Sequence, residues 1–155
     1  MAGLWFDEFE VGRRFVHEIR RTVTDTDNIL FSALTHNPAA IHIDHVYAAT
    51  TEFGRPLINS LFTLGLVVGL SVQDTTFGTT VANLGFEKTE FPKPVFAGDT
   101  IRAETEVKAL RPSASRPGQG VVTFEHLGFN QADVVVCRTL RAALMLGRPE
   151  MRLSS

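Results

Sequence analysis

The chain has 155 residues, a formal net charge of -2 and 44% hydrophobic residues, the profile of about one soluble globular domain over residues 1–155. The near-neutral balance leaves no broad basic field for nucleic acid or an acidic membrane surface. A single cysteine, Cys137, excludes an internal disulfide framework, fits a reducing compartment, and lies in an apolar run where a small buried hydrophobe is expected.

The N-terminus has no basic start and meets Asp7 and Glu8 before an apolar core builds, so no signal peptide is read there. The longest apolar run, residues 61–72, includes Thr63 and Ser71 and is too short to span a bilayer. A cytoplasmic protein is expected. Residues 15–24 alternate and are rich in Val, Ile, Thr and Arg, which predicts a strand with one wet face. Thr24-Asp25-Thr26-Asp27 then supplies helix-start chemistry for an apolar run from Ile29 to Leu34, ending near Thr35. Pro38 places the following residues on a turn and not along a helix. Asp44 can cap a second short helix over 45–53, with Val46, Ala48 and Ala49 facing inward and Gly54-Arg55-Pro56 as the stop.

Asn59 and Ser60 start a third helix that is apolar on nearly all sides, from Leu61 and Phe62 to Leu70 and Val72. Such a helix is buried on all sides, here by a sheet wrapped around it. Gly65 and Gly69 share one face and predict close packing against a strand. After Gly78 the period changes, and residues 81–86, 99–110, 120–128 and 134–146 read as four strands. Antiparallel neighbours with short turns fit this spacing. The fold class is α+β, one curved antiparallel sheet around a long buried helix, with no repeat of 20–50 residues. Residues 148–155 read as a loose tail.

The segment Asn37-Pro38-Ala39-Ala40-Ile41-His42-Ile43-Asp44 carries the chemistry. His42 exchanges a proton near neutral pH, and an amide and a carboxylate lie within the same eight residues, as a general acid/base site requires. A hydrogen-bonded structural histidine is the alternative. His36 and His45 flank the segment, but no compact tetrahedral set and no nearby cysteine accompany them, so no metal site is expected. The glycines form no phosphate loop, so no nucleotide cofactor is expected.

This layout resembles the hot-dog fold, and within it the MaoC-like dehydratases or (R)-specific enoyl-CoA hydratases. The resemblance covers nearly the whole chain. It rests on the motif ending at His42-Ile43-Asp44, on Phe53-Gly54-Arg55-Pro56-Leu57-Ile58-Asn59-Ser60, on Pro94-Val95-Phe96-Ala97-Gly98-Asp99-Thr100-Ile101, and on Ser115-Arg116-Pro117-Gly118-Gln119-Gly120-Val121. The run from Thr51 to Ser60 is similar to the mesaconyl-CoA hydratase (β-methylmalyl-CoA dehydratase) subgroup. The resemblance implies reversible hydration of an enoyl-CoA thioester, which is the substrate, with no cofactor. The family's Asp-x-Asn-Pro-x-His motif places its His at His42, but its Asp position holds Asn37. An amide orients water without exchanging a proton. Either His42 then works alone, or Asp44 supplies the carboxylate, or the chain binds acyl-CoA without hydrating it; Asp44 is also a ready helix cap.

In the enzyme reading, the helix start at Asn59, Ser60 and Leu61 offers free N–H groups and a positive dipole end to the thioester oxygen. Arg55 is the cation for an acyl carboxylate, and Arg116 one for the CoA phosphates; each has the alternative of a solvated surface arginine. A hot-dog thioesterase ranks lower, because residues 61–73 hold no Glu or Asp to aim a water at the thioester. The family and an exposed sheet edge imply a homodimer or higher homo-oligomer.

Overall fold

In the computed structural model, which describes residues 3–149, side-chain caps set the helices. Thr24 Oγ1 accepts from the Asp27 amide and Asp27 Oδ2 accepts from the Thr24 amide, a reciprocal cap that opens α1 (Asp25–Leu34). Burial on α1 is the reverse of its hydropathy: Asn28 and Ser32 are buried, whereas Ile29, Leu30 and Leu34 are exposed.

His42 does not sit on an open turn, as Pro38 suggested. It lies in a single helical turn, α2 (Ala40–Ile43). Asn37 Oδ1 accepts from the Ala39 amide at 3.1 Å, so the chain reverses before the helix begins and Pro38 stays outside it. Asp44 Oδ1 accepts from the Tyr47 amide at 2.9 Å and caps α3 (His45–Ala49). This helix is shorter than the expected 45–53, because the Thr50 and Thr51 hydroxyls donate back to the Tyr47 and Ala48 carbonyls and end it. Ala48 faces the core as expected, but Val46 is 82% exposed and Ala49 is exposed too.

The long helix is α4 (Ser60–Thr75), about 24 Å at 1.5 Å per residue. Asn59 Oδ1 accepts from the Leu61 amide at 3.0 Å, so Asn59 is the cap and Ser60 the first helical residue. Thr63, Val67, Leu70, Ser71 and Thr75 are buried, whereas Leu61, Gly65 and Gly69 are exposed. A Cβ added at Gly65 or Gly69 would meet nothing within 4 Å. The predicted burial on all sides is therefore one-sided in a single chain, and neither glycine packs against a strand. The close approach falls at Gly128, where a Cβ would collide with Val67.

The strands are β1 (Arg14–Val16), β2 (Arg21–Thr22), β3 (Thr80–Glu90), β4 (Thr100–Pro112), β5 (Gln119–Phe129) and β6 (Val135–Leu146). They form an antiparallel sheet in the order β1–β4–β5–β6–β3, with β2 on β4. The single strand expected over 15–24 is two short pieces. Between them His17 keeps a backbone bond to the Ala103 carbonyl but turns its ring into the core. β3 pairs with β6 and not with its chain neighbour β4, so residues 91–99 cross the end of the sheet. Along β4, Ile101, Ala103, Thr105 and Val107 are buried, the period-two face that α4 covers. Val67 and Leu70 pack there with Ile101, Ala103 and Cys137. A second cluster joins Phe9, Phe124 and Met145 under the N-terminal segment. Arg148, expected in a loose tail, donates its amide to Asp7 Oδ2 at 2.8 Å and pairs with Glu8; residues 150–155 of that tail lie outside the described residues. No helix among the described residues is long and apolar enough to cross a membrane.

Candidate active site

Three segments meet at the start of α4. His42 on α2 is half-buried, with Nδ1 2.7 Å from the Leu57 carbonyl oxygen. A carbonyl only accepts, so Nδ1 carries the proton and the neutral ring keeps a lone pair on Nε2. That is the form a general base needs. Asn28, fully buried on α1, holds the same junction. Its Nδ2 donates to the His42 carbonyl at 2.9 Å and to the Leu57 carbonyl at 3.0 Å, and its Oδ1 accepts from the Asn59 amide at 2.8 Å. The partners fix which end of the carboxamide is which. Sequence reasoning missed Asn28. The available signal was a pair of polar residues four apart, Asn28 and Ser32, on one face of a short helix.

Asn37 is half-buried, and its Oδ1 is engaged by the Ala39 amide. Asp44 spends its carboxylate on the α3 cap, and among the described residues no hydrogen bond joins it to His42. At the start of α4 the Leu61 amide, read from the sequence as a free donor, is taken by Asn59 Oδ1. The Ser60 and Phe62 amides have no partner among the described residues. Asn59 is 3% exposed, and its Nδ2 is buried without a partner.

A cleft of about 250 Å³ opens beside this start, lined by Phe53, Leu57, Ser60, Thr63, Lys93 and Val95 among others. Lys93 is its charged lining residue. His42, Asn37 and Arg55 are not in that lining. Arg55 stacks its guanidinium over Phe96, 4.0 Å from the ring centre. Arg116 is elsewhere. Its β4–β5 hairpin packs through Gly120 on Phe6, and the neighbouring Leu4 amide donates to the Thr75 carbonyl, so it lies toward the far end of α4 from Ser60. In this chain it does not join the site. Among the described residues no three His, Cys, Asp or Glu stand together as a metal set.

A second polar network, also missed, runs under the middle of the sheet. His17 bridges Asp74 Oδ2 and Thr105 Oγ1, each at 2.7 Å, and Thr105 Oγ1 is 2.9 Å from His126 Nδ1. The chain ends on His126 Nε2 and on Arg141 Nε and Nη2, all buried without partners. Burial, then Arg141 and then His17, hold the His126 imidazole well below its ordinary value. Burial brings the Arg141 guanidinium down to about 10 and pushes the Cys137 thiol up to about 11, so that thiol stays protonated at neutral pH.

The family model described as "MaoC like domain" matches residues 8–128. The chain is 33% identical over 153 residues to a mesaconyl-CoA hydratase of Cereibacter sphaeroides, covering 95% of this chain and 42% of the relative; it thus spans less than half of that relative's length. A MaoC-like dehydratase structure from Rhodospirillum rubrum superposes with a TM-score of 0.82 at 29% identity, covering 95% of this chain and 99% of that one. A Mycobacterium tuberculosis protein described as having a double hot-dog fold gives a TM-score of 0.85 at 23% identity, over 97% of this chain and 46% of that one, which shows the fold. A six-stranded antiparallel sheet on one long helix is the hot-dog arrangement expected above, and the chain belongs to the family of MaoC-like domains.

Proposed function

We propose that this chain catalyses the reversible addition of water to a trans-2-enoyl-CoA thioester. The observation that carries the reading is His42, held through Nδ1 on the Leu57 carbonyl beside the capped start of α4. His42 Nε2 takes a proton from water as the water oxygen bonds to the β-carbon. The same proton passes to the α-carbon, so one water is added and the base is regenerated. Between the two steps negative charge rests on the thioester oxygen, which the positive end of α4 stabilises. With the Leu61 amide spent on the cap, that task falls to other donors at Asn59 and Ser60. Asn37 orients the water without exchanging a proton, and Asp44 serves as the α3 cap. No cofactor enters; the CoA thioester is the substrate.

The relative named mesaconyl-CoA hydratase supports a branched dicarboxylic acyl group. Its second carboxylate would meet Arg55 over Phe96 or Lys93 in the cleft. A homodimer is part of the proposal. Leu61, Leu84 and Phe86 are 58%, 53% and 41% exposed, β3 is an open sheet edge, and the longer relative has room for a second unit. A monomer by light scattering at micromolar concentration contradicts that part. A cytoplasmic location, in keeping with the free thiol of Cys137, is proposed with it. Incubation with crotonyl-CoA and mesaconyl-CoA, followed by loss of enoyl absorbance, tests the reaction. No turnover of either rejects it; free CoA thiol without hydrated product makes the chain a thioesterase, and tight binding without chemistry makes it an acyl-CoA binding module.

A further inference from the structure

We propose that Asn28 on α1 positions the His42 imidazole, so that the base is aimed from outside the segment that carries it; this rests on the hydratase reading. α2 cannot hold a side chain still by itself. It is one turn of four residues, with no buried residue and no side-chain cap at Ala39, and a helix that short has no stability of its own. Its mount is Leu57. The Leu57 amide donates to the Ile41 carbonyl at 3.0 Å, and the Leu57 carbonyl oxygen is 2.7 Å from His42 Nδ1. Asn28 closes this mount. Its Nδ2 has two hydrogens and donates to the His42 carbonyl at 2.9 Å and to the Leu57 carbonyl at 3.0 Å. The same nitrogen thus grips the backbone that bears the imidazole and the oxygen on which the imidazole rests.

The carboxamide has no slack. Asn28 Oδ1 accepts from the Asn59 amide at 2.8 Å, so the group cannot turn over without setting an oxygen against two carbonyls and an NH2 against an N–H. Asn28 is fully buried and follows directly on the reciprocal Thr24–Asp27 cap that fixes the first turn of α1. The Leu57 carbonyl has two lone pairs. With Asn28 on one, the direction left for His42 Nδ1 is set. The rest of α1 is held independently, by the edge contact of Phe31 on Phe62, ring centres 5.8 Å apart, and by the Arg21–Asp27 ion pair. Losing the Asn28 amide therefore frees the mount of His42 before it loosens the core. A displacement of about 1 Å at a reacting group is enough to slow a reaction about 10²-fold.

Asn28→Asp has the same shape and keeps the oxygen for the Asn59 amide, but it turns an acceptor toward two carbonyls. The substrate is whichever of crotonyl-CoA and mesaconyl-CoA the wild type hydrates. The expected result is a kcat per folded molecule about 10²-fold lower, with KM far less affected, because Asn28 acts through His42 and not on the substrate. Asn28→Ser, too short to reach either carbonyl, gives the same split and covers a failure of the first variant to fold. A readout that needs no turnover is 15N NMR of the His42 ring at pH 8. The wild type shows one tautomer, protonated on Nδ1, and both Asn28 variants show the two tautomers mixed, as in an imidazole without a fixed acceptor. An unchanged kcat per folded molecule, or a single Nδ1 tautomer kept in both variants, overturns the proposal, even if the melting temperature falls. Mixed tautomers in the variants of a wild type that turns over no enoyl-CoA reject the hydratase reading and leave the positioning of His42 standing.

Discussion

The start of α4 and the underside of the sheet beyond it each bury a network built on histidine, and the two are finished differently. At the start of α4, Asn28 satisfies the His42 and Leu57 carbonyls and the Asn59 amide. His42 stays half-buried there, with Nδ1 held on the Leu57 carbonyl. Under the sheet, His126 is fully buried, and its neighbour Arg141 is 6% exposed; both end on groups without partners. Thr105 Oγ1 has one proton to give and lies between two rings. With the His17 Nδ1 proton donated to Asp74, Thr105 donates to His17 Nε2 and accepts from His126 Nδ1. One residue type thus stands half-buried and reachable in one place and as an interior link in the other, and access to solvent makes the difference.

Replacing each histidine separates the two roles. His42→Ala should lower kcat by about 10²–10⁴-fold, the range for a general base, with the fold intact because Leu57 keeps its bond to Asn28. His17→Ala should do the opposite. It strips Asp74 and Thr105 of a partner, and denaturant unfolding should show a loss of about 1–3 kcal/mol, with kcat per folded molecule unchanged. A large fall in kcat for His17→Ala would mean the two networks are coupled.

Acid sharpens the same contrast. His126 in the folded protein lies well below the ordinary 6.5, so below that pH the unfolded chain binds a proton that the native chain does not. The stability His126 contributes is therefore complete above about 6.5 and falls as pH drops toward its folded value, by about 1.4 kcal/mol per pH unit. His126→Leu should flatten that slope, as measured by urea unfolding at pH 6 and 5; an unchanged slope would show that His126 titrates normally. The smallest effect belongs to Asp44→Asn. Asn caps nearly as well, so melting temperature and kcat should both stay close to wild type. An inactive variant with normal melting would give Asp44 the carboxylate role that Asn37 lacks.

What the sequence revealed followed from period and punctuation. The alternation along β4 to β6, the Thr24 cap and the apolar run of α4 each impose their element locally, so the α+β class, the element order and the resemblance to MaoC-like domains were legible. The misses depended on long-range partners. Asn28 shares a junction with residues 14 and 31 positions away, and no local pattern marks such a contact. Gly65 and Gly69 fitted a strand-packing pattern, yet their face is open in one chain. Arg116 resembled a family loop, but the hairpin that carries it is tied to the N-terminal segment.

In the proposed reaction His42 carries the proton in hydration of an enoyl-CoA. The most direct measurement is the initial rate of enoyl absorbance loss for wild type and His42→Ala, side by side, on crotonyl-CoA and mesaconyl-CoA at saturating substrate. Turnover by the wild type and at least a 10²-fold lower kcat for a folded His42→Ala are expected. Equal rates for the two proteins would contradict it.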